Sequence, residues 1–348
     1  MAYTTIDNPT SFFNTNLWTG NGSSQSISGL NFAPDWVWIK QRSGTRYHNL
    51  QDTIRGTGVQ LFSNTNGADN TDSTNITAFN SDGYSLGAGQ NVNNSSSTYV
   101  GWSWLAGGST SSNGNGSITS TVSANTTAGF SIVSYAGTGS AATVGHGLGV
   151  APRLIIIKNR SSTESWRVYH GGLGATKEIY LDLTSAAGTS SSSFNNTDPT
   201  SSVFSVGTGN GTNKSGDNLI AYCFAEKKGY SKFGVYTGQG GAGGQYPFIY
   251  TGFRPAFVIT KRADTGGDNW HILDNTRDID NPAEQVLQTN DSGAEATTST
   301  SKIDFLSNGF KLRGTGASIN TNGLTYIYIA FAEHPFVTEG TKAAGTAR

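Results

Sequence analysis

Apolar residues in this chain fall in short runs where aromatic and β-branched side chains alternate with small or polar ones. Clusters of Gly, Asn, Asp and Ser interrupt the runs roughly every 8–15 residues, the spacing of an antiparallel β-sandwich or jelly roll. No segment carries apolar positions at the 3, 4 and 7 spacing of an amphipathic helix over three turns, so long helices are not expected. Asn308-Gly309 and Asp82-Gly83 lie between apolar runs and predict hairpin turns, because Gly accepts positive φ freely and Asn and Asp tolerate it.

The runs recur in a fixed order. An aromatic residue opens a glycine-bracketed turn at Trp18-Thr-Gly-Asn-Gly22, Tyr135-Ala-Gly-Thr-Gly139 and Tyr236-Thr-Gly-Gln-Gly240. Next comes a proline followed by an apolar strand and, six residues on, a lysine: Pro34 to Lys40, Pro152 to Lys158, Pro255 to Lys261. An arginine follows in each copy (Arg42, Arg160, Arg262), then a second aromatic strand at Tyr47-His48, Trp166-Arg167 and Trp270-His271. Each copy closes on an aromatic-alternating run: Thr98 to Trp104, Asn218 to Glu226 and Thr325 to Glu333. Modules of about a hundred residues are too long for solenoid repeats and suit independent sandwiches.

The expected fold is therefore all-β: three tandem antiparallel β-sandwich, jelly-roll-like modules with few or no long helices. Residues 1–16 read as an N-terminal arm, 17–106 as module one, and 107–128, rich in Ser, Thr, Asn and Gly, as a linker or extended strap. Residues 129–229 and 230–337 are modules two and three, and 338–348 a small-residue tail.

Charge sharpens this picture. Only 13% of the 348 residues are charged, about half the usual share, while 17 Phe, 14 Tyr and 7 Trp supply ample core material. A net charge of −1 provides no field to draw the protein to nucleic acid. No run reaches the length of a membrane span and no signal peptide is readable, so neither membrane insertion nor export is expected. The single cysteine, Cys223, excludes an intrachain disulfide and sits in an apolar run as a small buried hydrophobe.

Catalytic chemistry finds no foothold. Gly238-Gln-Gly-Gly-Ala-Gly243 matches a dinucleotide-binding string but leads into a strand-like Tyr246-Pro-Phe-Ile-Tyr250, where pyrophosphate binding needs a helix N-terminus. The five histidines show no metal-ligand spacing, and His48 and His271 take matching places beside the second aromatic strand. Acidic clusters at Asp69/Asp72 and Asp274/Asp278/Asp280 lack EF-hand spacing and read as solvated loops, with a calcium ion held by carboxylate and amide oxygens as the alternative. Glu226 and Glu333 occupy equivalent places in different modules, which is duplication and not a glycosidase pair. No catalytic residue, metal site or cofactor is expected. Lys40, Lys158 and Lys261 read as strand-end charges with an anion-binding alternative. The binding candidates are Tyr47, Trp166, Trp270, Arg42, Arg160 and Arg262, as rings and guanidinium groups able to stack on or grip a sugar.

Several strings together resemble a known repeat: Gly129-Phe-Ser-Ile-Val-Ser-Tyr-Ala-Gly-Thr-Gly139, Val144 to Pro152, Trp166-Arg-Val-Tyr-His170, Ala221-Tyr-Cys-Phe-Ala-Glu226 and Ile303 to Lys311. They look like the repeat of virion structural proteins of tailed bacteriophages, especially phages of marine and aquatic bacteria. The likeness covers residues 129–337 well and 17–106 more weakly. It implies location in the virion, with other virion proteins as partners, and supplies no catalytic residue to carry over. The function expected on that basis is a tail-fibre or adhesin component, homo-oligomeric, contacting host surface polysaccharide. A capsid decoration protein is the alternative, and a carbohydrate-active depolymerase the third reading.

Overall fold

The computed structural model describes residues 4–338. The protein is all-β, built of antiparallel sheets, and its four α-helices among the described residues are single turns of four residues. Each module contributes one large and one small sheet. In module one the large sheet runs, in spatial order, Phe13–Thr19, Thr98–Trp104, Trp36–Gln41, Asn49–Asp52, Val59–Phe62 and Asn70–Thr71. Module three repeats it with Ser231–Thr237, Thr325–Pro335, Phe253–Arg262, His271–Asp274, Gln285–Gln288 and Ala296–Thr297. Module two has the same six, Phe130–Ala136, Asn218–Phe224, Leu154–Asn159, Arg167–His170, Lys177–Tyr180 and Gly188–Thr189. Its sheet is widened by Ser120–Asn125 and Ser111–Asn113. Residues 107–128 are thus an extended strap that covers the edge of module two, and not a free linker. Module one's opening strand likewise begins at Phe13, inside the segment expected as an arm, and Ile6 is buried in the core. The expected tail beyond residue 338 lies outside the described residues.

The central strands are apolar on both faces, which requires burial on both sides. One face covers the module's own small sheet: Val37 and Ile39 in module one, Ile155, Ile157 and Cys223 in module two, Val258 and Ala330 in module three. The opposite face carries Trp36, Trp38, Trp102 and Trp104; Leu154, Ile156, Tyr222 and Phe224; and Phe257, Ile259, Ile329 and Phe331. These form a single cluster shared by all three modules. Trp36 stacks on Tyr222 at 4.3 Å, Phe224 meets Phe331 at 5.6 Å, and Trp104 meets Phe257 at 6.0 Å. The three large sheets therefore line a pseudo-threefold axis as the walls of a three-sided prism. The void left at the centre, about 10 Å³, is too small and apolar to hold a water.

The repeated turn has a steric cause. A Cβ on Gly20, Gly137 or Gly238 would approach the carbonyl oxygen of Asn94, Lys214 or Thr321 to 2.3, 2.2 or 2.2 Å, and Gly22, Gly139 and Gly240 hold φ near +70°. The turn is clamped by Asn93, Asn213 and Asn320, all fully buried. Asn213 Nδ2 donates to the Ser140 and Gly207 carbonyls, while its Oδ1 accepts from Thr138 N. The residue before each asparagine accepts at its carbonyl from the opening aromatic: Trp18 Nε1 to Val92 O, Tyr135 Oη to Thr212 O and Tyr236 Oη to Ile319 O. Replacing Asn213 with alanine strands the buried Gly207 carbonyl, removes two part-buried hydrogen bonds and is expected to cost about 2–3 kcal/mol. Urea unfolding checks it, and a loss under about 1 kcal/mol would mean that the clamp is ornamental.

Candidate functional site

The sequence-predicted site residues fall at the module junctions. Trp166 and Trp270 are fully buried, and their indole Nε1 groups donate across a junction to Phe62 O and Tyr180 O at 3.0 and 2.9 Å. A buried indole with its N–H bound cannot stack on a sugar, so the stacking expectation is corrected for both. Their counterpart in module one is His48: each of the three immediately precedes the second aromatic strand. His48 Nδ1 accepts from Trp38 Nε1 at 2.8 Å. His48 Nε2 is buried and makes no hydrogen bond among the described residues. Burial first, then the Lys40 charge, pushes the imidazole well below its usual range. His271 is instead the counterpart of Asn49 and Arg167, one residue out of step with the match expected from sequence. It is buried and lowered to about 4.

Arg42 grips Glu295 through two nitrogens, at 2.7 and 3.0 Å, and Arg160 holds Asp69 at 2.8 Å. Their backbone carbonyls also accept from Glu295 N and Asp69 N. The third position of this set is Ala263, whose carbonyl accepts from Ala187 N. Arg262 stands one residue earlier and folds back on Asp268 and on the Thr265 and Gly266 carbonyls of its own loop. Each of the three guanidinium groups is thus held by a carboxylate. The strand-end lysines are also committed: Lys40, Lys158 and Lys261 are buried, and each Nζ donates to two carbonyls, among them Asn66 O and Thr184 O of the preceding module for the last two.

Behind these pairs lie two buried networks. Asp52 Oδ2 receives Arg55 Nε at 2.6 Å and Tyr222 Oη at 2.7 Å from module two, and Arg55 continues to Asp69. Asp274 Oδ2 receives Arg277 Nε at 2.6 Å and Trp102 Nε1 at 3.1 Å from module one, and Arg277 continues to Glu295 at 2.9 Å. Burial opposes the Glu295 charge, yet Arg42 and Arg277 together hold its carboxyl below the usual range. At the junction of modules two and three the same places are taken by His170, Leu173, Ala187 and Ala263. There His170 Nε2 meets the Tyr328 carbonyl at 3.2 Å, and burial lowers its imidazole to about 4. One junction has thus exchanged an ionic network for an apolar one.

Repeated positions serve the prism. Exposed aromatics that do not repeat are left to face outward. Tyr47 is one, 48% exposed and 5.0 Å from the Phe62 ring, above a cavity of about 370 Å³ lined by Thr45, Arg46, Asn91 and Ser292. A larger group lies on module three's small sheet. Phe248 and Tyr250, 46% and 52% exposed, flank buried Ile249 and so point to the same outer face. Gly309 pairs with Tyr250, and a Cβ there would meet the Ile249 carbonyl oxygen at 2.1 Å and the Phe248 ring at 3.0 Å. The matching residues of module one are Ser26 and Ser28, and of module two Thr143 and Gly145, set by the register about buried Ile27 and Val144. Lys232 Nζ stands 5.5 Å from the Tyr250 ring centroid. Glu226, Lys228, Ser231, Lys232 and Tyr250 line a cavity of about 370 Å³ beside it. Sequence reasoning passed over this pair, although Phe-Ile-Tyr is an alternation with its aromatics on the face opposite the core residue.

A family model, described as a domain of unknown function (DUF7483), matches residues 8–335 and so spans all three modules. The chain belongs to the DUF7483 family. Neither the curated proteins nor the solved structures include a match to it. For this DUF7483 chain the unit recognised is the whole prism, in keeping with the shared core. No group of three metal-ligating side chains occurs among the described residues, and none of their helices is long and apolar enough to cross a membrane.

Proposed function

We propose that this protein is a non-catalytic structural component of a bacteriophage virion, of the tail-fibre or adhesin type, that contacts the host surface. The observation that carries the reading is the division of labour among side chains. The recurring aromatics and strand-end lysines are spent inside the prism and the recurring arginines on neighbouring carboxylates, while the exposed ring pair Phe248/Tyr250 occurs once. The repeat strings that resemble tailed-phage structural proteins supply the virion context. The pseudo-threefold outline favours a second reading, a capsid decoration protein seated where the shell has local threefold symmetry.

Density maps of intact particles distinguish the two by position and copy number. Three-walled prisms at the tail extremity in a few copies are expected, many copies across the shell would favour decoration, and absence from purified particles would overturn both. Oligosaccharide release from host polysaccharide by the isolated protein would refute the non-catalytic part.

A further inference from the structure

We infer that the outer corner of module three, Phe248, Tyr250, Lys232 and the cavity beside them, binds a carboxylated sugar unit of a polysaccharide; this deepens the host-contact reading and rests on it. The C–H face of a pyranose packs on an aromatic ring because both are apolar and flat, and two outward rings on one strand offer a platform broader than a single sugar needs. The preference for an acidic sugar comes from Lys232, whose ammonium group stands beside the rings, while Glu226 in the same lining already accepts at Oε1 from Phe233 N. Lys232 Nζ, at 5.5 Å, is near the outer limit of a cation–π contact and is weakly held there, so a ring-bound carboxylate can draw it over. The remaining acceptor capacity of Glu226 suits sugar hydroxyls. A cavity of about 370 Å³ is at the small end of ligand pockets and matches a sugar unit and not a protein segment. Internal comparison makes the case specific. The position of Lys232 is Asn14 in module one, where the amide bonds the Leu30 carbonyl, and buried Ser131 in module two. Ring pair and ammonium occur together at one corner of an otherwise repeated body.

The test is electrophoresis of the full chain through gels containing polygalacturonate, dextran or dextran sulfate. Retardation by polygalacturonate alone is expected. Tyr250→Ser and Phe248→Ser, which install the residue type that module one carries at these places, should each weaken it at least tenfold without altering thermal unfolding. Lys232→Met should abolish the preference over dextran. No retardation by polygalacturonate, equal retardation by dextran sulfate, or unchanged retardation of Tyr250→Ser would each overturn the site. Adhesion to host cells separates the two levels. Adhesion that survives Tyr250→Ser removes this site and leaves host contact standing, whereas polygalacturonate binding by a protein that does not adhere removes host contact and leaves the site.

Discussion

Replacing Arg55 with leucine alone is expected to lower the unfolding free energy by about 3–5 kcal/mol, because it leaves Asp52 charged, fully buried and short of its main partner. The Arg55 side chain has no solvent exposure and serves Asp52, the Leu50 carbonyl, Tyr222 and Asp69 together. The junction between modules two and three shows how the same geometry is satisfied without ions: His170, Leu173, Ala187 and Ala263 stand where Asp52, Arg55, Asp69 and Arg160 stand. The fourfold variant D52H/R55L/D69A/R160A approaches that solution, keeping Tyr222 where the other junction has Ile329, and should recover at least half of what R55L loses, since a buried ion pair is often replaceable by apolar residues but seldom divisible. Guanidinium chloride unfolding of the single and fourfold variants decides it. If the fourfold variant is no more stable than the single one, the junctions are not interchangeable and the pseudo-symmetry is only geometric.

Stability should rise with pH between about 8 and 9.5, against the usual trend for a protein leaving neutrality. Burial pushes Lys40, Lys158 and Lys261 down from 10.5 to about 8, partly opposed by Asp291, by Asp182 and by Asp268 respectively. Below 10.5 the unfolded chain keeps these protons while the folded chain sheds them from about pH 8 upward. The contribution is therefore complete above 10.5 and lost as pH falls through 8. Each lysine accounts for up to about 3 kcal/mol over the interval. The opposite sign sets the upper limit: burial raises the Cys223 thiol and the Tyr84, Tyr135 and Tyr230 phenols, so the fold loses stability once their unfolded counterparts ionise near pH 9–10. Urea midpoints at pH 7.5, 8.5 and 9.5 should increase, and Lys158→Met should cut the slope by about a third. A flat or falling series would mean that water reaches the three ammonium groups.

Much of the architecture was legible because strand, turn and repeat signals are local. The Gly-x-Gly turn, the Pro-to-Lys strand and the closing aromatic run each return at their expected places in all three large sheets. The common core was harder to see, since nothing local shows what covers a second apolar face. Trp36-Val-Trp-Ile39 and Leu154-Ile-Ile-Ile157 did carry the sign, as unbroken apolar runs that a free-standing sandwich would leave half wet. Alignment by residue type misled in two places. Arg262 follows its lysine by one residue where Arg42 and Arg160 follow by two, and the register that exposes Ala263 as their counterpart appears only in the paired backbone. His48 was matched to His271 by chemistry when its place is that of Trp166 and Trp270. Among the binding candidates only Tyr47 is exposed, because aromatics and arginines are what pseudo-symmetric junctions consume. The Phe248/Tyr250 face carries the contrary signal, a difference between copies.

Fusing three modules around one axis also fixes valency. Three separate chains in this arrangement would display every surface feature three times, whereas a single chain displays the module-three corner once. Any multivalent grip must then come from how many whole prisms are mounted side by side and how far apart, and not from the prism itself.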